Sequence, residues 1–279
     1  MTSPPSSMHE LEIAAVSDTG TERDHNEDFC AAFAERNDCA IVGVADGVSS
    51  EEGGEVASQI AIEAMLRAYR EEPPTLGSGP RLYRAVQQAN IEIYDRAMVV
   101  PELRGMSTTL TAVAVERGEL TAVHVGDSRL YLIRGGAITQ LTKDHTLAAE
   151  RTRMGLLSEE RARSHADRST LTRSVGRELI VNRDRISRPL AQGDVVLLCS
   201  DGLYNVLSDV DIERIVAGRE APDACRALID AANRRGTPDN LTTAVVRVTG
   251  PTPGRPESAG LAETLHRLLT RRSASPRSR

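Results

Sequence analysis

Tryptophan is absent from this sequence, and aromatic residues are scarce, with two phenylalanines and five tyrosines. Stacking on nucleobases needs aromatic faces, and following a phosphate backbone needs a basic excess. The formal net charge is -6, so nucleic acid is not expected as a partner. Cysteine is also sparse. Cys30, Cys39, Cys199 and Cys225 form no Cys-x-x-Cys pair. Cys30, Cys39 and Cys199 lie in apolar runs and read as buried, reduced thiols of a cytoplasmic protein. No stretch approaches the ~20 apolar residues of a transmembrane helix. The start, Met1-Thr2-Ser3-Pro4-Pro5, has neither the basic nor the apolar region of a secretion signal.

Signatures of covalent and nucleotide chemistry are missing too. There is no Gly-x-Ser-x-Gly elbow, no cysteine-phosphatase loop and no Walker-type phosphate loop. His9, His25, His124, His145, His165 and His266 show no metal-ligand spacing. These absences favour a mechanism that uses activated water over one with a covalent intermediate.

What is present is 279 residues, 40% hydrophobic and 27% charged, the balance of a globular protein able to bury its own core. Residues 1–8 are Ser/Pro-rich and expected to be disordered. No linker-like break interrupts Leu11 to Val248, and Glu72–Pro80 reads as a loop between helices. Leu11–Val16, Phe29–Ala34 and Ala40–Ala45 predict strands. Glu55–Tyr69 and Arg81–Met98 have helical apolar spacing. The period then returns to strands at Thr108–Val115, Leu120–Val125 and Leu130–Ile133. A hairpin turn at Gly135-Gly136 leads into Ile138–Leu141. Val195–Cys199 and Leu241–Val248 are later strands. Strands grouped with strands and helices with helices predict an α+β fold of packed sheets with helices outside. The tail, residues 250–279, is rich in Pro, Ser and Arg. It carries an amphipathic patch at Leu261, Leu265, Leu268 and Leu269, near basic residues suited to docking on an anionic surface.

The informative feature is where the acidic residues fall. Asp46-Gly47 ends an apolar strand, as does Asp201-Gly202. Asp239-Asn240 opens another, Asp127 follows Val123–Gly126, and Glu27-Asp28 borders the strand from Phe29. A carboxylate at the mouth of a buried strand is costly unless neutralised. Several at one sheet end would repel each other and demand cations. An all-oxygen ligand set suits Mg²⁺, Mn²⁺ or Ca²⁺ rather than zinc. Asp24-x-Asn26-x-Asp28 with Glu35 nearly matches a calcium loop, but Phe29 occupies the position of the turn glycine and Ala32 offers no oxygen.

The ordered set Arg23-Asp24-His25-Asn26-Glu27-Asp28, Val44-Ala45-Asp46-Gly47, Gly105-Met106-Ser107-Thr108-Thr109, Val125-Gly126-Asp127-Ser128-Arg129, Leu198-Cys199-Ser200-Asp201-Gly202-Leu203 and Asp239-Asn240-Leu241-Thr242 resembles the PPM family, the type 2C metal-dependent serine/threonine protein phosphatases, in its bacterial form. The resemblance spans Leu11 to Val248. It implies an α-β-β-α sandwich of two antiparallel sheets flanked by helices, with a catalytic domain over residues 9–249. It also implies a centre of two Mn²⁺ or Mg²⁺ ions with a third, weaker site. Asp46 would bridge both metals, the Gly47 carbonyl would bind the second, and Asp201 and Asp239 the first. Glu27 and Asp28 would act mostly through bound water. Asp127 with Asp201 would hold the third ion. Arg23 would bind the phosphate, a task for which a bidentate guanidinium is well shaped. A water activated between the metals would attack phosphorus directly.

The resemblance further implies phosphoprotein substrates, a Ser/Thr kinase or its targets as partners, a signalling role in the cytoplasm, and a monomer. Two narrower alternatives are a phosphatase acting on an anti-sigma-factor antagonist and an inactive sensor or scaffold on the same fold. One departure stands out. Eukaryotic members often have His after Asp-Gly as a candidate general acid, and here Val48 occupies that place. His145 and His25 remain as candidates. The segment Thr146–Gly176, with Arg161, Arg163, His165 and Arg168, falls where bacterial members carry a flap, and is expected to select substrates.

Overall fold

A computed structural model describes residues 10–48 and 53–250. The segment 1–8 and the tail beyond Gly250, including the leucine patch, lie outside the described residues. Among the described residues the strands are β1 (Leu11–Asp18), β2 (Asp28–Arg36), β3 (Cys39–Asp46), β4 (Leu110–Glu116), β5 (Glu119–Val125), β6 (Arg129–Arg134), β7 (Ala137–Gln140), β8 (Asp184–Pro189), β9 (Val195–Cys199) and β10 (Leu241–Val248). The helices are α1 (Gly54–Glu71), α2 (Ser78–Val99), α3 (Leu147–Arg153), α4 (Glu159–Arg163), α5 (Asp201–Tyr204), α6 (Asp209–Val216) and α7 (Ala221–Arg234). One sheet runs β1-β10-β9-β6-β7 and the other β2-β3-β4-β5-β8. Their pairings are antiparallel.

Strand periodicity divides the apolar residues among three layers, because successive side chains point to opposite faces. On β3, Ile41 and Ala45 pack under α1 and α2, while Val42 and Val44 face the other sheet. On β9, Leu197 and Cys199 pack under α6 and α7, while Val196 and Leu198 face inward. Leu11, Ile13, Ala15, Val113, Val115, Leu120, Ala122, Ala244 and Val246 complete the seam between the sheets. Both faces of the central strands are therefore dry, which explains why they read as unbroken apolar runs. Each fully buried aliphatic side chain there contributes roughly 1.5–3 kcal/mol.

The predicted α+β sandwich is what the chain adopts, and the strand and helix positions agree within a few residues. β8 has no counterpart in the sequence reading. It is an edge strand whose residues, Asp-Arg-Ile-Ser-Arg-Pro, are mostly exposed and lack a hydrophobic run. The helices α3 to α7 are additional too. α6 starts with a capping box between Ser208 and Asp211, and α7 buries Ala221, Ala224, Cys225, Leu228, Ile229 and Ala232 at helical spacing. Both signals are present in the sequence.

Candidate metal centre

The same alternation that fills the seam continues to its end and changes chemistry there. After Val42 and Val44, the next inward residue of β3 is Asp46. Before Cys30 and Ala32 on β2, it is Asp28. The two stand directly opposite each other in the antiparallel register. Facing carboxylates repel, so this pair is tolerable when protonated or when cations intervene. From the opposite sheet, Ser200 extends the inward row of β9 and Thr242 begins that of β10. Ser200 Oγ donates to Asp28 Oδ2 at 2.7 Å, and the Thr242 N–H donates to Ser200 Oγ at 2.9 Å. Ser17 Oγ meets Thr242 Oγ1 at 2.8 Å and accepts from Asn26 Nδ2 at 2.8 Å. One oxygen of Asp28 is thus held by the Ser200 hydroxyl, which the start of β10 holds in turn.

Asp201 is the first residue of α5, where β9 leaves the sheet. The chain passes close to the start of β10 here. A Cβ on Gly202 would sit 2.1 Å from the Asn240 carbonyl oxygen, so glycine is required. Asp239 immediately precedes that strand. Asp127, only 6% exposed, lies in the turn between β5 and β6. The Tyr204 hydroxyl, three residues after Asp201, donates to the Asp127 carbonyl at 3.1 Å. The Arg129 guanidinium lies 3.6 Å over the Tyr204 ring and pairs with Asp144 at 2.7 Å.

Electrostatics tie these residues together. Burial pushes the Asp28 carboxyl up to about 7, and Asp201 and Asp239 add to the shift. Burial raises Asp46 well above the ordinary carboxylate range, with further contributions from Asp28, Asp201, Asp127 and Asp239. Asp127 is raised by burial and by Asp201. Asp201 is raised to about 6 by burial and by Asp239. The structure therefore brings Asp28, Asp46, Asp127, Asp201 and Asp239 to one mouth between the sheets, within reach of each other's charge. Among the described residues, no three acidic, histidine or cysteine side chains stand as a finished ligand set. The donor chemistry, buried and half-buried carboxylate oxygen without nitrogen or sulfur, fits hard divalent cations.

The remaining predicted residues divide. Arg23 borders the mouth: its Nη2 pairs with Asp239 Oδ1 at 2.9 Å and its Nε donates to the Pro238 carbonyl at 3.2 Å. Gly47 follows Asp46 and donates its N–H to the Glu27 carbonyl at 3.0 Å. The Glu27 carboxylate turns toward the start of α1, where a Cβ on Gly54 would lie 2.8 Å from its Oε1. That position suits an anion beside a helix N-terminus.

The two candidate acids differ in their surroundings. His145 is fully buried, its Nδ1 accepts from the Gly126 N–H at 3.1 Å, and its Nε2 faces Asp184 at 3.3 Å. It stacks on His124 at 4.7 Å, and burial and Arg173 lower its pKa. It is a packing residue that braces the turn before Asp127. His25 is exposed, and its carbonyl accepts from Asn240. Residues that sequence reasoning passed over are Ser200, Thr242, Tyr204 and Asn240. The first two are legible as inward positions of their strands.

A sandwich of two antiparallel sheets with an acidic mouth at one end of the seam is the architecture shared with solved serine/threonine phosphatases. The chain belongs to the protein phosphatase 2C family, whose model matches residues 20–244. It is thus an enzyme, a protein serine/threonine phosphatase. It is 35% identical over 233 residues to the serine/threonine phosphatase stp of Listeria monocytogenes, covering 82% of this chain and 92% of the relative. The Mycobacterium tuberculosis phosphatase PstP/Ppp superimposes with a TM-score of 0.77 at 37% identity, over 86% of this chain and 99% of that one. The catalytic domain of PstP solved with two manganese ions gives a TM-score of 0.75 at 36% identity, over 87% and 100% of the two chains.

Proposed function

We propose that this chain removes phosphate from phosphoserine and phosphothreonine of protein substrates, using two Mn²⁺ or Mg²⁺ ions at the seam mouth. The observation that carries the reading is the face-to-face Asp28–Asp46 pair, with Asp201 and Asp239 adding their charge from the other sheet. Asp46, Asp201 and Asp239 are assigned as principal ligands, with the Gly47 carbonyl, and Asp28 and Glu27 acting mostly through water. Asp127 and Asp201 would hold a third ion. When bound, the ions lower the pKa of a water and neutralise the phosphoryl oxygens of an in-line displacement.

The chain's own residues do the rest. Arg23 binds the phosphoryl oxygens and offsets charge that grows on them. Ser200 orients Asp28, and the apolar seam behind Asp46 excludes bulk water from the closed side. No side chain is assigned as general acid, since His145 is committed to packing. The flap carries α3 and α4, with Arg161, Arg163 and Arg168 exposed. Arg168 lies near enough to lower the Asp201 pKa, which supports a role for this segment in substrate choice. A cytoplasmic signalling role opposite a Ser/Thr kinase, as a monomer, completes the reading.

The test is phosphate release from phosphoserine, phosphothreonine and phosphotyrosine peptides with and without Mn²⁺. Metal-dependent release from the first two supports the reading, and metal-independent release overturns it. Replacing residues 146–176 by another member's flap should change peptide preference. Unchanged preference would remove the flap from the account.

A further inference from the structure

We propose that Asn240 is a positioning residue for phosphate binding, stapling the loop that carries Arg23 onto the turn that carries Asp239. The inference rests on Arg23 as the phosphate-binding group. Asn240 is 4% exposed and uses its whole carboxamide across the fold. Nδ2 donates to the Thr19 carbonyl and to the His25 carbonyl, each at 2.9 Å. Oδ1 accepts the Glu27 N–H at 2.9 Å. The three partners bracket Arg23 in the chain. The sense of the amide is fixed, since flipping it would set NH₂ against an N–H and oxygen against two carbonyls.

The loop from Thr19 to Glu27 contains neither helix nor strand, so it has no ladder of its own to hold its shape. It lies flush on the turn before β10. A Cβ on Gly20, at φ +78°, would approach the Asp239 carbonyl oxygen to 2.5 Å. The Arg23 guanidinium and the Asn240 N–H both donate to Asp239 Oδ1, each at 2.9 Å. The staple therefore sets Arg23 and that carboxylate oxygen in one frame. Aspartate at 240 would lose both donors and face two carbonyls with a charge. Glutamine would be too long by a methylene.

The experiment compares Asn240→Ser, Asn240→Asp, Arg23→Ala and the Asn240→Ser/Arg23→Ala double variant in the full chain with saturating Mn²⁺. It reads kcat, KM for a phosphothreonine peptide and the inhibition constant of inorganic phosphate, with a thermal melt for each protein. Asn240→Ser removes the staple without burying a charge, and serves if Asn240→Asp does not fold. The expected result is a rise of about 10-fold in KM and in the phosphate inhibition constant for Asn240→Ser, with a smaller fall in kcat. The double variant should be no worse than Arg23→Ala alone, because both changes disable one element. A merely structural role would lower the active fraction and leave KM unmoved. Normal KM and phosphate inhibition in Asn240→Ser, alongside a defective Arg23→Ala, would overturn the staple alone. A normal Arg23→Ala would overturn the reading beneath it.

Discussion

Asp28 and Asp46 face each other across neighbouring antiparallel strands, at the point where the seam between the sheets turns from valine to carboxylate. Their raised pKa values mean that the metal-free pair holds protons, which arriving cations must displace.

Metal-free protein should lose stability as pH rises. The folded pKa of Asp28 is raised from the ordinary 3.8 to about 7. The sign follows from linkage. A carboxyl that holds its proton more tightly when folded stabilises the fold fully below about pH 4, and that contribution is lost as pH rises through about 7. Asp201, raised to about 6, acts in the same direction. Thermal melts in chelator should give a lower midpoint at about pH 8 than at about pH 5.5, and added Mn²⁺ should raise the midpoint most at the higher pH. A midpoint that climbs with pH in chelator would contradict this.

Replacing Asp46 by asparagine should leave a folded protein with activity lower by at least ~10³. Asp239→Asn should behave alike. Asp46→Asn should also melt higher than wild type in chelator at neutral pH, since a buried repulsion has been removed. A variant that is inactive because it is unfolded would separate from this outcome in the same melt.

His145 should tolerate a substitution that keeps its acceptor. In His145→Asn, the amide oxygen can still accept the Gly126 N–H, so activity and the shape of the kcat–pH profile should persist. His145→Ala leaves that N–H unpaired and should cost about 1–3 kcal/mol of stability. Loss of one limb of the pH profile in the asparagine variant would restore His145 as the proton donor.

Tyr204→Phe removes one hydroxyl, the donor to the Asp127 carbonyl. The expected loss is about 0.5–1.5 kcal/mol of stability. Calorimetric metal titration should show weakening confined to the weakest binding event. Equal weakening of all events would show that the hydroxyl braces the whole mouth.

Much of this was legible before any coordinates, and for definable reasons. Val42 and Val44 predict a buried strand, and Asp46 at its end predicts a costly charge. Both follow from local pattern. The sheet order is non-local, so the Asp28–Asp46 register could not be read from either strand alone. β8 escaped because Asp184–Pro189 is an edge strand with polar side chains. Ser200 and Asn240 escaped because a serine before Asp-Gly and an asparagine before an apolar run look like turn residues. Their roles appear when Ser200 reaches Asp28 and Asn240 reaches Thr19, His25 and Glu27. A signal for Ser200 and Thr242 was nonetheless present, since both continue the inward rows of β9 and β10.

The central claim is that the carboxylates gathered where the two sheets end require cations to make the site catalytic. The most direct measurement is p-nitrophenyl phosphate hydrolysis by exhaustively chelated protein, before and after Mn²⁺ is returned, in wild type and Asp46→Asn. Wild type should fall to background and recover with Mn²⁺, while Asp46→Asn stays at background in both conditions. Hydrolysis that survives chelation, or an Asp46→Asn protein that recovers as wild type does, would contradict the account.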